Sequence, residues 1–362
     1  MHTDIPASAD DADDLLETPL GQAASPGAPP GESKDPRSRT RDGAPSPVLR
    51  LRYFVTGTML RGVALVIPLL PRPLVMGIGW VIGTGAYFLM ASDRKVALAN
   101  LDIAFGQSKS PHEKRRIAMS ACRNLAINLL GLFWGSRLNE RNVGRYVDVD
   151  PENLAWFDEV RSRGKGVIII TPHYGDWELG SLAAGLLGIR FTTVMEPTKN
   201  PAIEQIVSEL RSLTGHTTVP PRFAVVKLYK ALSRGGTIGV LIDVNGRRGR
   251  GGVWLDFFGL PVFNTSAVAE LAMRTGAAIV FTAAHPLPGR RIRLAFGPEI
   301  VPYSTGDREA DVKTTSQRCL DACADLIREH PEHWLWTYKR WKRRPTPEVA
   351  RYPFYSKYDA NT

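Results

Sequence analysis

From position 49 onward the chain alternates short apolar runs with amphipathic stretches, and the two periods predict its elements. Runs rich in β-branched residues and bounded by Gly or polar residues read as strands at 166–171, 191–195, 237–242, 278–284 and 291–296. Helical spacing predicts helices at 93–106, 111–134, 153–162, 178–187, 201–213, 223–233, 265–275 and 311–329. Ser110 followed by Pro111 is a start signal for the second of these. Strands alternating with helices predict an α/β fold with a mostly parallel central sheet flanked by helices. In such sheets ligands sit at the C-terminal ends of the strands.

The first 92 residues break this pattern. Residues 1–48 are rich in Pro, Ser, Gly, Ala and Asp and almost lack aromatic or β-branched side chains, which predicts a disordered tail. Segment 60–70 is apolar apart from Arg61, and after Pro71–Pro73 come 18 residues, 74–91, without a charge. That length just reaches a membrane span, but its six Gly, Thr and Tyr residues weaken it. The expectation for 49–92 is an apolar helical anchor, embedded in or lying on a membrane. A main domain then covers 93–346 and a C-terminal tail 347–362.

Composition adds charge to this picture. Residues 1–48 hold nine acidic and four basic groups, so the rest of the chain carries a surplus of fifteen positive charges. A basic body suits an anionic membrane surface, phosphorylated substrates or nucleic acid. The tail 338–344, YKRWKRR, places aromatics beside cations, which suits a membrane interface or RNA stacking. Cys122, Cys319 and Cys323 form neither a disulfide framework nor a metal-type CxxC, which points to a reducing compartment. An acidic start without an early apolar core predicts no signal peptide.

Residues 171–180, TPHYGDWELG, follow the predicted strand 166–171 and bring a histidine and carboxylates together at its end. A neutral imidazole accepts a proton near pH 7, and a nearby carboxylate fixes its tautomer. In a continuous helix His173 and Glu178 would lie about 140° apart, so the chain must bend for them to meet. Pro172 and Gly175 favour that bend. Asp176 adds a second carboxylate, or serves as a helix cap. Asp243 ends a predicted strand, where it lines the cleft or caps a turn. Lys199 and Arg222 are candidates for substrate phosphates, against the plainer reading of solvated cations. The loop 245–250, NGRRGR, has the charge to bind an acyl carrier protein or lipid head groups. Phosphate-loop, zincin and serine-hydrolase motifs are absent.

Several features in order make the chain resemble the bacterial lipid A biosynthesis acyltransferases, within the lysophospholipid acyltransferase superfamily. They are the apolar N-terminal segment, Arg94–Lys95 with Asn100–Leu101, His173 to Glu178, the segment Lys199–Asn200–Pro201, GGVWLDFFGLP at 251–261, LAMRTGA at 271–277, and the Trp-rich basic end at 336–344. The resemblance covers about 50–346. It implies a membrane-associated O-acyltransferase, with His173 as general base on an acceptor hydroxyl and Glu178 orienting it. The donor would be a thioester of acyl carrier protein or coenzyme A, and the acceptor a glycolipid such as a lipid A precursor. The tetrahedral oxyanion needs backbone N–H groups or a cation. Asp176, Lys199, Asn200, Arg222 and Asp243 are the candidate substrate-binding residues. The resemblance implies no metal, no cofactor and no nucleic acid, and a place on the cytoplasmic face of the inner membrane.

Two positions depart from that pattern. Asp176 stands where the family usually has Asn. Glu196, in Met195–Glu196–Pro197, replaces the Arg of the family's Tyr-Arg-Pro segment. Related enzymes that act on phosphatidylinositol mannosides carry a Glu near this place, so mannoside, lysophospholipid and aminolipid acceptors stay open. The alternatives from other classes are a thioester hydrolase and a non-catalytic basic membrane- or nucleic-acid-binding protein.

Overall fold

The computed structural model describes residues 46–359 apart from 197, 199, 248–250 and 349–350. Almost all of the expected disordered tail lies outside these residues. Four helices come first: α1 (Pro47–Val66), α2 (Arg72–Leu89), α3 (Ala91–Phe105) and α4 (Pro111–Trp134). Ser110 caps α4 as expected. Its side chain accepts from Glu113 N, and the Glu113 carboxylate accepts from Ser110 N at 2.8 Å. Glycine lets α2 press directly on α4: a Cβ on Gly83 would stand 2.4 Å from Arg123 Cα, and one on Gly79 would stand 2.8 Å from Ile127.

The sheet and its helices follow as β1 (Val147–Asp148), α5 (Pro151–Ser162), β2 (Val167–Thr171), α6 (Trp177–Leu186), β3 (Thr192–Val194), α7 (Pro201–Ser212), β4 (Thr217–Val219), α8 (Ala224–Leu232) and β5 (Thr237–Leu241). Then come β6 (Gly252–Phe257), β7 (Leu260–Thr265), α9 (Ala267–Thr275), β8 (Ala278–Leu287), β9 (Arg291–Ile300) and α10 (Arg308–Glu329), with a short pair, β10 (Arg343–Arg344) and β11 (Lys357–Tyr358), at the end. The strand order in the main sheet is β1-β9-β8-β2-β5-β3-β4. From β8 to β4 the strands run parallel, while β9 runs antiparallel to β8 and carries β1 alongside it. The expected α/β fold with a mostly parallel sheet is present. β2 lies between β8 and β5, and its residues 167–170 are all buried, which is why that strand reads as an unbroken apolar run.

Two features differ from the sequence reading. β6 and β7 form a separate antiparallel hairpin whose turn residues, Phe258 and Gly259, have φ of +57° and +73°. Such a turn is usually announced by Asn-Gly; here a phenylalanine holds the left-handed position, so the local signal was missing. In the basic, Trp-rich end the tryptophans and Arg340 are core, while Lys339 and Lys342 are exposed. Trp334, Trp336, Trp341 and Arg340 are at most 1% exposed. Arg340 donates to Asn264 Oδ1 at 2.9 Å and lies over the Phe257 ring. The segment expected as a loose tail joins the fold through β11, which pairs with β10, and through the Tyr355 hydroxyl, which donates to Asn100 Oδ1.

Asn100 is the latch for this end. It is fully buried, and its Nδ2 donates to Trp336 O at 2.7 Å and Tyr338 O at 2.8 Å. Asn100→Ala leaves two carbonyls and a tyrosine hydroxyl without their partner. It is expected to lower stability by about 2 kcal/mol or more in urea titration. A loss below about 0.5 kcal/mol would mean that the tail is held by its tryptophans alone.

Candidate active site

Strands β2 and β5 pair in register with Thr171 opposite Leu241. His173 and Asp243 each lie two residues past those partners, so parallel register brings them side by side. His173 Nδ1 is 2.9 Å from Asp243 Oδ1. Asp243 Oδ2 accepts from His173 N at 2.9 Å and from Trp334 Nε1 at 2.8 Å. Asp243 is 2% exposed, and three donors satisfy a carboxylate that burial would otherwise penalise. With the carboxylate ionised, Nδ1 carries the ring proton. Nε2 is left as the basic atom and has no protein partner among the described residues.

The turn that carries His173 is set from several sides. Gly175 has a φ of +60°, and a Cβ there would lie 2.0 Å from Ala284 O, so no other residue fits. Gly175 N donates to His333 O at 3.0 Å, and Asn128 of α4 donates to Gly175 O at 2.9 Å. Tyr174 bridges Trp334, and the Trp177 ring stands edge-on to the imidazole at 5.2 Å.

Burial of His173 works to lower its pKa, but the Asp243 charge and hydrogen bond, helped by the Glu178 charge, outweigh it. The net direction is upward. Asp243 moves the other way: burial raises it, while His173 and the hydrogen bonds of His173 and Trp334 hold it below the usual carboxylate value.

Glu178, expected to orient the imidazole, places its carboxylate elsewhere. α6 begins at Trp177, so Glu178 lies in its first turn and turns towards α7, where Arg211 donates to both of its oxygens, one at 3.1 Å. The carboxylate that meets the ring is that of Asp243, expected only as a cleft or turn residue. Asp176 does cap α6, accepting from Leu179 N at 3.3 Å, and also forms a buried ion pair with Arg72 at 3.0 Å. Asn200 caps α7 and donates to Tyr53 O at 3.3 Å. Arg222 lies exposed over the Phe223 ring, and no contact joins it to His173. Lys199 lies outside the described residues. Glu196 is paired with Arg247 from the basic loop. His216 is packed, its ring against Phe191 and its Nε2 2.7 Å from Ser181 O.

Arg211 and Trp334 escaped the sequence reading. A lone arginine on a helix has no local signature. Trp334 is distant in sequence and signals only as one of a tryptophan cluster.

An imidazole and a buried carboxylate in contact at the C-terminal edge of a parallel sheet stand where ligands sit in such folds. The sequence profile of the bacterial lipid A biosynthesis acyltransferase family matches residues 45–343, and the chain belongs to that family. It is an acyltransferase of the kind that moves groups other than aminoacyl groups. It is similar to the lipid A biosynthesis lauroyltransferase of Escherichia coli (strain K12), with 24% identity over 84% of this chain and 97% of that protein. The palmitoleoyltransferase of the same organism is 25% identical over 84% of this chain and 96% of its own length. A phosphatidylinositol mannoside acyltransferase of Mycobacterium tuberculosis (strain ATCC 25618 / H37Rv) is 27% identical over 56% of this chain and 63% of its own length.

His173 is expected to titrate above the ordinary histidine value of about 6.5. Replacing Asp243 by Asn removes the charge that favours the imidazolium, so the titration should move to lower pH. Ring-nitrogen NMR of histidine-labelled protein reads this directly. An unchanged midpoint would show that Asp243 does not set the basicity of His173.

Proposed function

We propose that the chain transfers a fatty acyl group from an acyl thioester, carried by acyl carrier protein or coenzyme A, to a hydroxyl of a glycolipid at a membrane surface. The contact between His173 and Asp243 carries this reading. His173 Nε2 takes the proton of the acceptor hydroxyl while its oxygen attacks the thioester carbonyl. Asp243 holds the productive tautomer and stabilises the imidazolium. The tetrahedral adduct then expels the thiolate, which receives the proton. Only one base and one orienting carboxylate are needed, so direct transfer requires no acyl-enzyme.

Arg211 is the cation we assign to this centre. Its charge bears on His173, and two of its donors are spent on Glu178. We assign it the charge that faces the oxyanion, with Glu178 fixing its position. The family relatives named above act on lipid A or phosphatidylinositol mannoside, which supports a glycolipid acceptor.

The N-terminal helices support membrane attachment. Leu51, Phe54, Met59 and Leu65 on α1 and Val81, Phe88 and Leu89 on α2 are all at least 64% exposed. That much outward apolar surface fits a lipid boundary. The inner faces are held to the protein, Gly57 of α1 against Ala202 and Gly79 and Gly83 of α2 against α4. Helices bound this way on one side suit a place in the membrane interface. The segment Pro111–Arg137 is long and apolar enough to span a bilayer, but half of its apolar window is buried inside the protein. Cys122, Cys319 and Cys323 are free, which suits the cytoplasmic face of the inner membrane.

Loss of the base should lower acyl transfer from a radiolabelled acyl thioester to glycolipid by about 10²- to 10⁴-fold in His173→Ala. Asp243→Asn should cost more than Glu178→Gln, since only the first contact touches the imidazole. Its remaining activity should rise with pH at lower values than in the unaltered protein, because neutral His173 then forms earlier. Equal rates in His173→Ala and the unaltered protein would end the reading of His173 as the base. For attachment, Leu51→Glu with Phe54→Glu should weaken co-sedimentation with anionic phospholipid vesicles about tenfold or more while the circular dichroism spectrum is retained. Undiminished binding would move the membrane surface elsewhere.

A further inference from the structure

The His173–Asp243 pair makes no use of Asp176, yet Asp176 is a buried charge beside the turn that carries His173. It is 6% exposed, and burial raises its pKa against the pull of Arg72. Its cap on α6 does not require a charge, because Asn caps a helix equally well. The charge is matched by Arg72, itself 5% exposed and stacked 5.0 Å from the Trp134 ring. A buried ion pair is a poor source of stability, since desolvating both ions offsets most of their attraction. What the pair does specify is position. Arg72 is the first residue of α2, whose outer face is exposed and apolar. Asp176 is three residues from His173. If α2 shifts, Arg72 either draws Asp176 with it or leaves a buried carboxylate unmatched.

The surroundings leave room for such a shift. A cavity lined by Arg72, Met76, Asn128, Gly175, Asp176 and Leu287 lies between the start of α2 and the back of the turn. Asn128, fully buried, donates to Gly175 O on one side, while its Oδ1 has no hydrogen-bond partner. α2 is thus clamped by glycines along its length, and the cavity lies where it meets the turn.

We propose that Arg72 and Asp176 are positioning residues that couple the seating of α2 on a lipid bilayer to the placement of His173. The coupling rests on the membrane reading given above. Bilayer contact biases α2, the ion pair carries the bias to Asp176, and the His173–Gly175 turn moves against Asp243. The site is therefore tuned by the surface that delivers its lipid acceptor.

The test uses the whole chain, labelled at histidine ring nitrogens, with and without nanodiscs of phosphatidylethanolamine and phosphatidylglycerol. Arg72→Met combined with Asp176→Asn keeps volume and cap and leaves no lone buried charge, so it is built to fold. Nanodisc binding should move the His173 titration by about half a pH unit or more in the unaltered protein. The double variant should bind nanodiscs as well, yet show less than half of that shift. Its kcat should fall about tenfold with the donor KM unchanged. Arg72→Lys, which keeps the charge, should retain most of the shift and serves if the double variant unfolds. Binding without any shift in the unaltered protein, or an equal shift in the double variant, overturns the coupling alone. No nanodisc binding by the unaltered protein overturns the membrane reading and the coupling with it.

Discussion

A carboxylate at 2% exposure cannot stay ionised unless donors replace the water it has lost. Asp243 has three: the His173 backbone N–H, the His173 ring and the Trp334 indole. These belong to the end of β2 and the segment after α10, while Asp243 itself follows β5. One buried charge therefore fastens three distant pieces of chain at one point. It is also why His173 is basic where it stands, since the donors that satisfy Asp243 include the ring whose proton it retains. Stability and chemistry meet in the same contact, and neither strand end is free to drift without leaving a buried charge unsatisfied.

The Trp334 donor explains why so much of the C-terminal chain is core. An indole can hold a buried aspartate only if its own position is fixed, and Trp336, Phe257 and Tyr174 surround it. Asn100 then holds the backbone of Trp336 and Tyr338. Arg340, lowered by burial and raised by the Asp243 charge, ties this segment to Val244 and Asn245 just beyond Asp243. The basic residues that look like a surface patch in the sequence are in part the packing behind the site.

This explains what the sequence could and could not disclose. The strands at 167–171 and 237–241 were legible because buried parallel strands read as continuous apolar runs. The cap of α4 was legible because Ser110 stands directly before Pro111. His173 was legible for the same local reason. Its partner was not, because Glu178 is five residues away and Asp243 is 70, and proximity in sequence favours the wrong carboxylate. The helix that starts at Trp177 turns Glu178 away towards Arg211, a fact that depends on where α7 lies. The signal for Asp243 was its offset: it stands as far past its strand as His173 stands past its own. Only strand register gives that offset meaning, and register is a long-range property. The tryptophan-rich end stayed ambiguous for a related reason, since cation-aromatic composition describes a membrane edge and a cross-braced core equally well.

The charges around His173 also constrain one another. The body of the chain is strongly basic, but around the turn that carries His173 arginines face carboxylates: Arg72 with Asp176 and Arg211 with Glu178, while Glu196 meets Arg247 further out. An unmatched arginine here would lower the basicity of His173, and an unmatched carboxylate would leave it protonated and unable to accept. Local neutrality keeps the imidazole titratable while individual donors stay aimed. The Glu178–Arg211 pair brings a guanidinium to the first turn of α6 without adding net charge. Glu196, where the resembled enzymes carry arginine, fits the same balance, because the basic loop already supplies Arg247 to meet it. The two departures from the family pattern, Asp176 and Glu196, are thus each balanced by an arginine from a different part of the chain.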